Sequence, residues 1–346
     1  MRRQLNTLYV TTEGAWLKKD GANVVMEVDG AERARLPIHM LASVVCLGRV
    51  LVSPPLLGYC AEQGVSVAYL SASGRFLARV EGPVAGNVLL RREQYRVSDD
   101  LPRAVPIVRN VLAGKLYNQR AVISRALRDH GDDFPDDRRQ EIERARTRLA
   151  MIARRLRIEC DIDVLRGLEG EAAQSYFGVF GHLIRVKHPA LQFRGRNRRP
   201  PLDAINAVLS FLYTLLTHDC RSALETVGLD PAVGFLHRDR PGRPSLALDL
   251  IEEMRPVIAD RLALSLVNRK QLNARDFKTL DNGAVTMSEA ARKAILVAYQ
   301  ERKRDEMLHP FIDEKIPLGM VPFVQAQLLA RHLRGDLDAY PAFLWK

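Results

Sequence analysis

The chain has 346 residues, 47% of them hydrophobic and 27% charged, an ordinary globular composition long enough for two domains. A formal net charge of +11 and an isoelectric point near 9.7 favour an anionic partner, nucleic acid first. Cys46, Cys60, Cys160 and Cys220 are widely spaced and give neither a CxxC pair nor a disulfide framework. No apolar run approaches the ~20 residues of a bilayer span, so a soluble, cytoplasmic protein without membrane contact is expected.

From residue 4 to about 81 the pattern is that of strands. Thr7 to Thr12, Asn23 to Val28, Ser43 to Leu47, Val65 to Leu70 and Arg75 to Val80 are runs rich in β-branched, aromatic or aliphatic residues. Asp20-Gly21 and Asp29-Gly30 are hairpin turn signals, and Ser71 to Gly74 is a further turn. One helix interrupts: Ser53 is placed to cap it, Pro54 and Pro55 suit its first turn, and Gly64 can end it.

Past Asn87 apolar residues recur at helical spacing, over Ala104 to Leu127, Arg138 to Leu156 and Val164 to Ile184. Helical spacing resumes over Leu202 to Leu216, Leu246 to Leu266, Ser288 to Glu306 and Val321 to Leu333. Between the two groups lies a basic, proline-rich loop whose Arg194, Arg196, Arg198 and Arg199 can grip phosphates. The expected architecture is α+β: a small N-terminal β-sheet domain over 1–86, a linker or short helix over 87–100, and an all-α C-terminal domain over 101–346.

Two stretches carry polar residues that a fold alone does not require. Leu165 to Gly170 holds Glu169 with Arg166 three residues earlier, so both can share one helix face, and Gly167 and Gly170 leave room beside them. Gly234 to Pro256 holds His237, then Arg238, Arg240 and Arg243, then Asp249 and Glu252 among Leu246, Leu248, Leu250, Ile251 and Met254. Carboxylates in so aliphatic a setting need a partner or a metal, because an unpaired buried charge is very costly. Pro256 lacks the N–H that would bond the Glu252 carbonyl, so the helix should kink or loosen there.

These stretches, with Gly48 to Ser53, Gly74 to Arg79, Asn87 to Tyr95 and Asn206 to Tyr213, resemble the spacer-acquisition integrase family of CRISPR systems over nearly the whole chain. The resemblance implies a metal-dependent DNA endonuclease and integrase. Glu169, His237 and Glu252 are implied as catalytic metal ligands; the third ligand is Asp in some members, which leaves Asp249 as the alternative to Glu252. Asp249 and Arg166 are expected to support the ligands, and the arginines at 238, 240, 243, 194, 196, 198 and 199 to contact DNA. Mixed imidazole and carboxylate ligation suits Mg²⁺ or Mn²⁺. The implied partners are double-stranded and branched DNA, a second copy of the chain in a homodimer, and a small CRISPR adaptation subunit of the same operon. The competing expectation is a non-catalytic protein that binds branched DNA, with its acids merely pairing its arginines.

Overall fold

A computed structural model describes residues 7–41, 43–71, 76–80, 82, 88–197 and 200–345. The chain divides into two compact units, Met1–Ala85 and Gly86–Lys346.

The first unit holds two four-stranded sheets. Its elements are β1 (Thr7–Val10), β2 (Trp16–Asp20), β3 (Asn23–Val28), β4 (Ala31–Pro37), β5 (Ser43–Leu47), β6 (Leu51–Val52), α1 (Pro54–Glu62), β7 (Ser66–Leu70) and β8 (Phe76–Val80). In one sheet β1, β5 and β7 run parallel and β8 closes the edge antiparallel; every residue of β5 is buried, as its unbroken apolar run demands. In the other, β4, β3 and β2 form an antiparallel meander and β6 pairs parallel to β2. Val10 of one sheet, Leu17 and Val24 of the other, and Leu56 and Cys60 of α1 belong to one core. The hairpin signals hold, since Gly21 and Gly30 both adopt the left-handed conformation at the two turns. They join the expected strand at Asn23 to β2 and β4, whose charged, half-exposed residues carry little strand signature. Ser53 precedes α1 but its side chain makes no capping bond.

The second unit is built from α2 (Val88–Asp99), α3 (Leu101–His130), α4 (Asp136–Leu156), α5 (Ile162–Phe180), α6 (Ala204–Val227), α7 (Ser245–Arg255), α8 (Arg261–Asn268), α9 (Glu289–Arg304) and α10 (Val321–Leu333). It is mostly helical, as expected, with short strands added. Two antiparallel hairpins, β9 (Phe277–Thr279) with β10 (Val285–Met287) and β11 (Glu306–Leu308) with β12 (Lys315–Pro317), interrupt its helices. The short β-branched and aliphatic runs there are too brief to stand out from helix-compatible sequence.

The long helix α3 is the spine, packing against α4, α5 and α7, while α6 packs on α7 and α10. Residues 88–99 are a helix integral to this unit: buried Gln94 of α2 donates to the carbonyls of Asp230 and Val233, both at 2.8 Å. The final segment is fastened to the same spine. Asn118 of α3 donates to the Phe343 carbonyl at 2.9 Å and accepts from the Trp345 amide at 2.8 Å.

Candidate metal and DNA-binding site

His237 lies in the loop between α6 and α7, and the loop is organised by one carboxylate of α7. Asp249 Oδ2 accepts the backbone N–H groups of Phe235 at 2.6 Å and Leu236 at 2.9 Å. Its Oδ1 accepts the amide of His237 at 3.0 Å and meets His237 Nδ1 at 2.6 Å. With both oxygens doubly engaged, Asp249 has no lone pair left for a metal. It holds the imidazole by Nδ1, which leaves Nε2 as the nitrogen that could meet a ligand. Gly234 makes this approach possible, since a Cβ there would sit 2.8 Å from Asp249 Oδ2 and from the Ser245 backbone. Arg166 of α5 braces the same loop through its Nε on the Leu236 carbonyl at 2.8 Å. Its Nη1 donates to Asp163 at 2.7 Å, and that carboxylate also receives Arg238 at 3.0 Å.

One turn further along α7 the environment changes. Glu252 is fully enclosed, yet it faces cations instead of amides. Its Oε1 lies 2.6 Å from Arg255 Nη1, and its Oε2 lies 2.7 Å from Lys115 Nζ of α3. Both carboxylate oxygens of Glu252 thus face a cation at ion-pair distance. Lys115 also donates to Glu169 Oε1 of α5. Burial pushes the Glu252 carboxyl up, but the charges of Arg255, Lys115 and His237 outweigh it and hold the group down to about 2.

The structure therefore brings Glu169 and Glu252 together through Lys115 and holds His237 separately on Asp249. Among the described residues, no three His, Cys, Asp or Glu side chains stand ready to hold a metal ion. The donor set nevertheless fits one in kind. Two carboxylates and an imidazole suit Mg²⁺ or Mn²⁺, and a side-chain cation already stands between the acids.

The loosening expected at Pro256 is present, as α7 ends at Arg255 and a π-helical turn over Pro256–Asp260 leads into α8. Asn118 supports that turn by donating to the Glu253 carbonyl at 2.6 Å. The Glu253 side chain points elsewhere, to the Phe343 amide at 2.5 Å, the Tyr340 hydroxyl and Gln325 at 3.3 Å. Burial raises its carboxyl to about 7 against these three bonds.

The expected DNA-contacting arginines fall into different settings. Arg194, Arg238 and Arg240 are exposed. Arg243 is half-buried and donates to the Arg238 carbonyl at 3.5 Å. Arg196 departs from expectation. Its guanidinium turns inward, donating to Asn206 Oδ1 at 2.6 Å and stacking over the Tyr213 ring at 5.1 Å. Arg198 and Arg199 lie outside the described residues.

Two features escape a reading of the sequence. Lys115 is one; its signal is a lysine in register with buried Val108, Val111 and Leu112 on the apolar face of α3. The other is a cavity of about 400 Å³ lined by Tyr117, Arg120, Ser124, Arg125, Arg128 and Trp345. It draws on α3 and on the chain end, segments too far apart in sequence to suggest a shared surface.

Residues 8–301 match the family described as CRISPR associated protein Cas1. The chain belongs to the Cas1 family. Among curated Cas1 relatives it is 61% identical to "CRISPR-associated endonuclease Cas1 2" of Rhodospirillum rubrum, over all of both chains. It is 51% identical to "CRISPR-associated endonuclease Cas1 1" of Chlorobaculum tepidum, again over all of both. The fold agrees with a solved Cas1 protein from Thermotoga maritima, at a TM-score of 0.80 and 20% identity over 95% of this chain and 97% of that one. It agrees equally with a casposase bound to integration product, at a TM-score of 0.82 and 21% identity over 96% and 92%.

Proposed function

We propose that this Cas1-family chain is a metal-dependent DNA endonuclease and integrase of CRISPR adaptation, which joins short DNA fragments to a CRISPR array by attack of a 3′-OH. The observation that carries this reading is the pairing of half-buried Glu169 and enclosed Glu252 around a cation, together with an imidazole whose Nδ1 is already committed. Full-length relatives named as endonucleases and the casposase-like fold support it.

In this reading Glu169, Glu252 and His237 Nε2 hold one divalent ion. When bound, the ion supplies charge to the scissile phosphate and lowers the pKa of the attacking hydroxyl. The remaining work belongs to the chain. Asp249 fixes the imidazole tautomer and its ring orientation, and Arg166 keeps the loop from shifting by anchoring the Leu236 carbonyl. Exposed Arg238 and Arg240 at the loop surface receive DNA phosphates. Exchange of one phosphodiester for another needs no energy source. The chain carries no GxxxxGK[ST] loop, which is consistent with that. A homodimer and a small adaptation subunit complete the proposed assembly; a neighbouring solved structure, with a TM-score of 0.81 and 22% identity, is a Cas6-RT-Cas1–Cas2 complex, although this chain spans 36% of that one.

The rival reading is a DNA-binding protein whose buried acids serve only as salt bridges, and the pairing of Glu252 with Lys115 and Arg255 favours it specifically. Incubation of labelled branched DNA with the chain in EDTA, Mg²⁺ or Mn²⁺ separates the two. Strand cleavage or joining only with the divalent ions supports the enzyme. Binding without any cation-dependent product supports the salt-bridge reading.

A further inference from the structure

The charges in direct contact with Glu252 and Glu169 balance. Glu169 and Glu252 contribute two negative charges, and Lys115 and Arg255 contribute two positive ones. A divalent ion added to these four groups would leave them with two excess positive charges, which their largely buried setting opposes. Arg255 is tied to Glu252 within α7, and its guanidinium also lies 4.8 Å from the centre of the Tyr213 ring. Among the described residues, the ion pairs of Lys115 are with the two acids. A lysine is a compact charge on a flexible stem, whereas an arginine is a planar fork fixed by its neighbours.

We propose that Lys115 is a resident counter-cation of the acid pair, which a divalent ion must displace, so that this residue sets the affinity of the site for metal. The direction of displacement follows from exposure. The Glu252 side chain is 2% exposed and closes the inner side, whereas that of Glu169 is 29% exposed and leaves an outer path for the ammonium. Without metal, Lys115 prevents two neighbouring carboxylates from repelling one another inside the fold. With metal, it moves outward past Glu169, where a DNA phosphate would meet it. Lys115 is thus a positioning residue. The inference rests on the metal reading given above.

The test is calorimetric titration of Mn²⁺ onto the full-length chain without DNA, for wild type, Lys115→Gln, Lys115→Met and Lys115→Arg. Melting curves in EDTA and in Mn²⁺ accompany each titration. The neutral variants are expected to bind Mn²⁺ at least ~10-fold more tightly than wild type, because one close positive charge has been removed. They should melt lower than wild type in EDTA and gain more on adding Mn²⁺, while Lys115→Arg stays within about threefold of wild-type affinity, since charge is kept. A purely structural lysine would instead lower stability and leave affinity unchanged or weaker in the neutral variants, and that result overturns the proposal. If both neutral variants are unfolded in EDTA, folding restored by Mn²⁺ supports the exchange and failure to fold with Mn²⁺ overturns it. Absence of Mn²⁺ uptake by wild type and every folded variant overturns the metal reading itself, and with it the inference.

Discussion

Glu252 and Glu253 are consecutive, both enclosed, and built for opposite purposes. Glu252 faces Lys115 and Arg255 and is held ionised, whereas Glu253 faces a tyrosine hydroxyl, an amide and a glutamine and is pushed towards its neutral form. The step of about 100° between adjacent helical residues separates a cation-lined face from a face that clamps the chain end. A third acid, Asp249, shares the side of Glu252 yet is consumed by three amides and an imidazole. Burial alone does not mark a ligand. What distinguishes Glu252 is that both of its oxygens face side-chain cations.

The comparison is most sharply tested by removing the proposed ligands. Alanine at Glu169, His237 or Glu252 should each lower cation-dependent cleavage and joining by roughly 10³-fold or more, as expected when several kcal/mol of charge stabilisation are lost. Gel-shift affinity for duplex DNA should stay near wild type. Full activity of the Glu169 variant would remove that residue from the site.

Asp249→Ala should act differently. It strips acceptors from three backbone N–H groups at roughly 1–3 kcal/mol for each enclosed donor left unpaired. Lower melting temperature and lower activity are expected together, with the loss of activity traced to the His237 loop. A stable but inactive Asp249→Ala protein would make Asp249 the third ligand in place of Glu252.

The two glutamates should also leave opposite marks on stability against pH, measured by denaturant unfolding without metal. Glu252 is depressed from an ordinary 4.5 to about 2, so its contribution is full above 4.5 and lost as pH falls towards 2. Glu253 is raised from 4.5 to about 7, so the folded state holds a proton that the unfolded state has released, and stability falls as pH rises through that window. Glu252→Gln should flatten the acid limb and Glu253→Gln the limb between 4.5 and 7. Matching profiles for the two variants would erase the distinction between the faces.

The smallest effects concern the basic loops. Neutralising exposed Arg194, Arg238 or Arg240 should weaken DNA binding evenly across sequences and lower the salt slope by ~0.9 for each duplex phosphate that is no longer neutralised. Arg196→Ala should cost stability instead, through Asn206 and the Tyr213 ring. A salt slope that falls for Arg196 alone would reverse that assignment.

Much of this is legible in the sequence. Strand runs with glycine turns and helical spacing past Asn87 mark the two parts, because local periodicity follows burial. Glu169, His237, Asp249 and Glu252 stand out as polar residues among aliphatic ones, and Pro256 announces the π turn. The rest depends on tertiary contacts. Asp249 and Glu252 look alike in sequence, and only the amides that Gly234 admits tell them apart. Arg196 reads as a phosphate grip because its inward partner, Asn206, lies on the next helix. Lys115 escapes notice since one lysine in a long amphipathic helix reads as solvated. Its meaning comes from two acids 54 and 137 residues further along the chain.

The most direct test of the integrase chemistry uses two labelled DNA ends, one with a free 3′-OH and one ending in a dideoxynucleotide, each offered with a CRISPR repeat target in Mn²⁺. Attack by the 3′-hydroxyl predicts a covalently joined product from the first end, none from the second, and none from either with Glu252→Ala. Equal joining of both ends, or nicking without joining from either, would contradict it and leave a plain hydrolase.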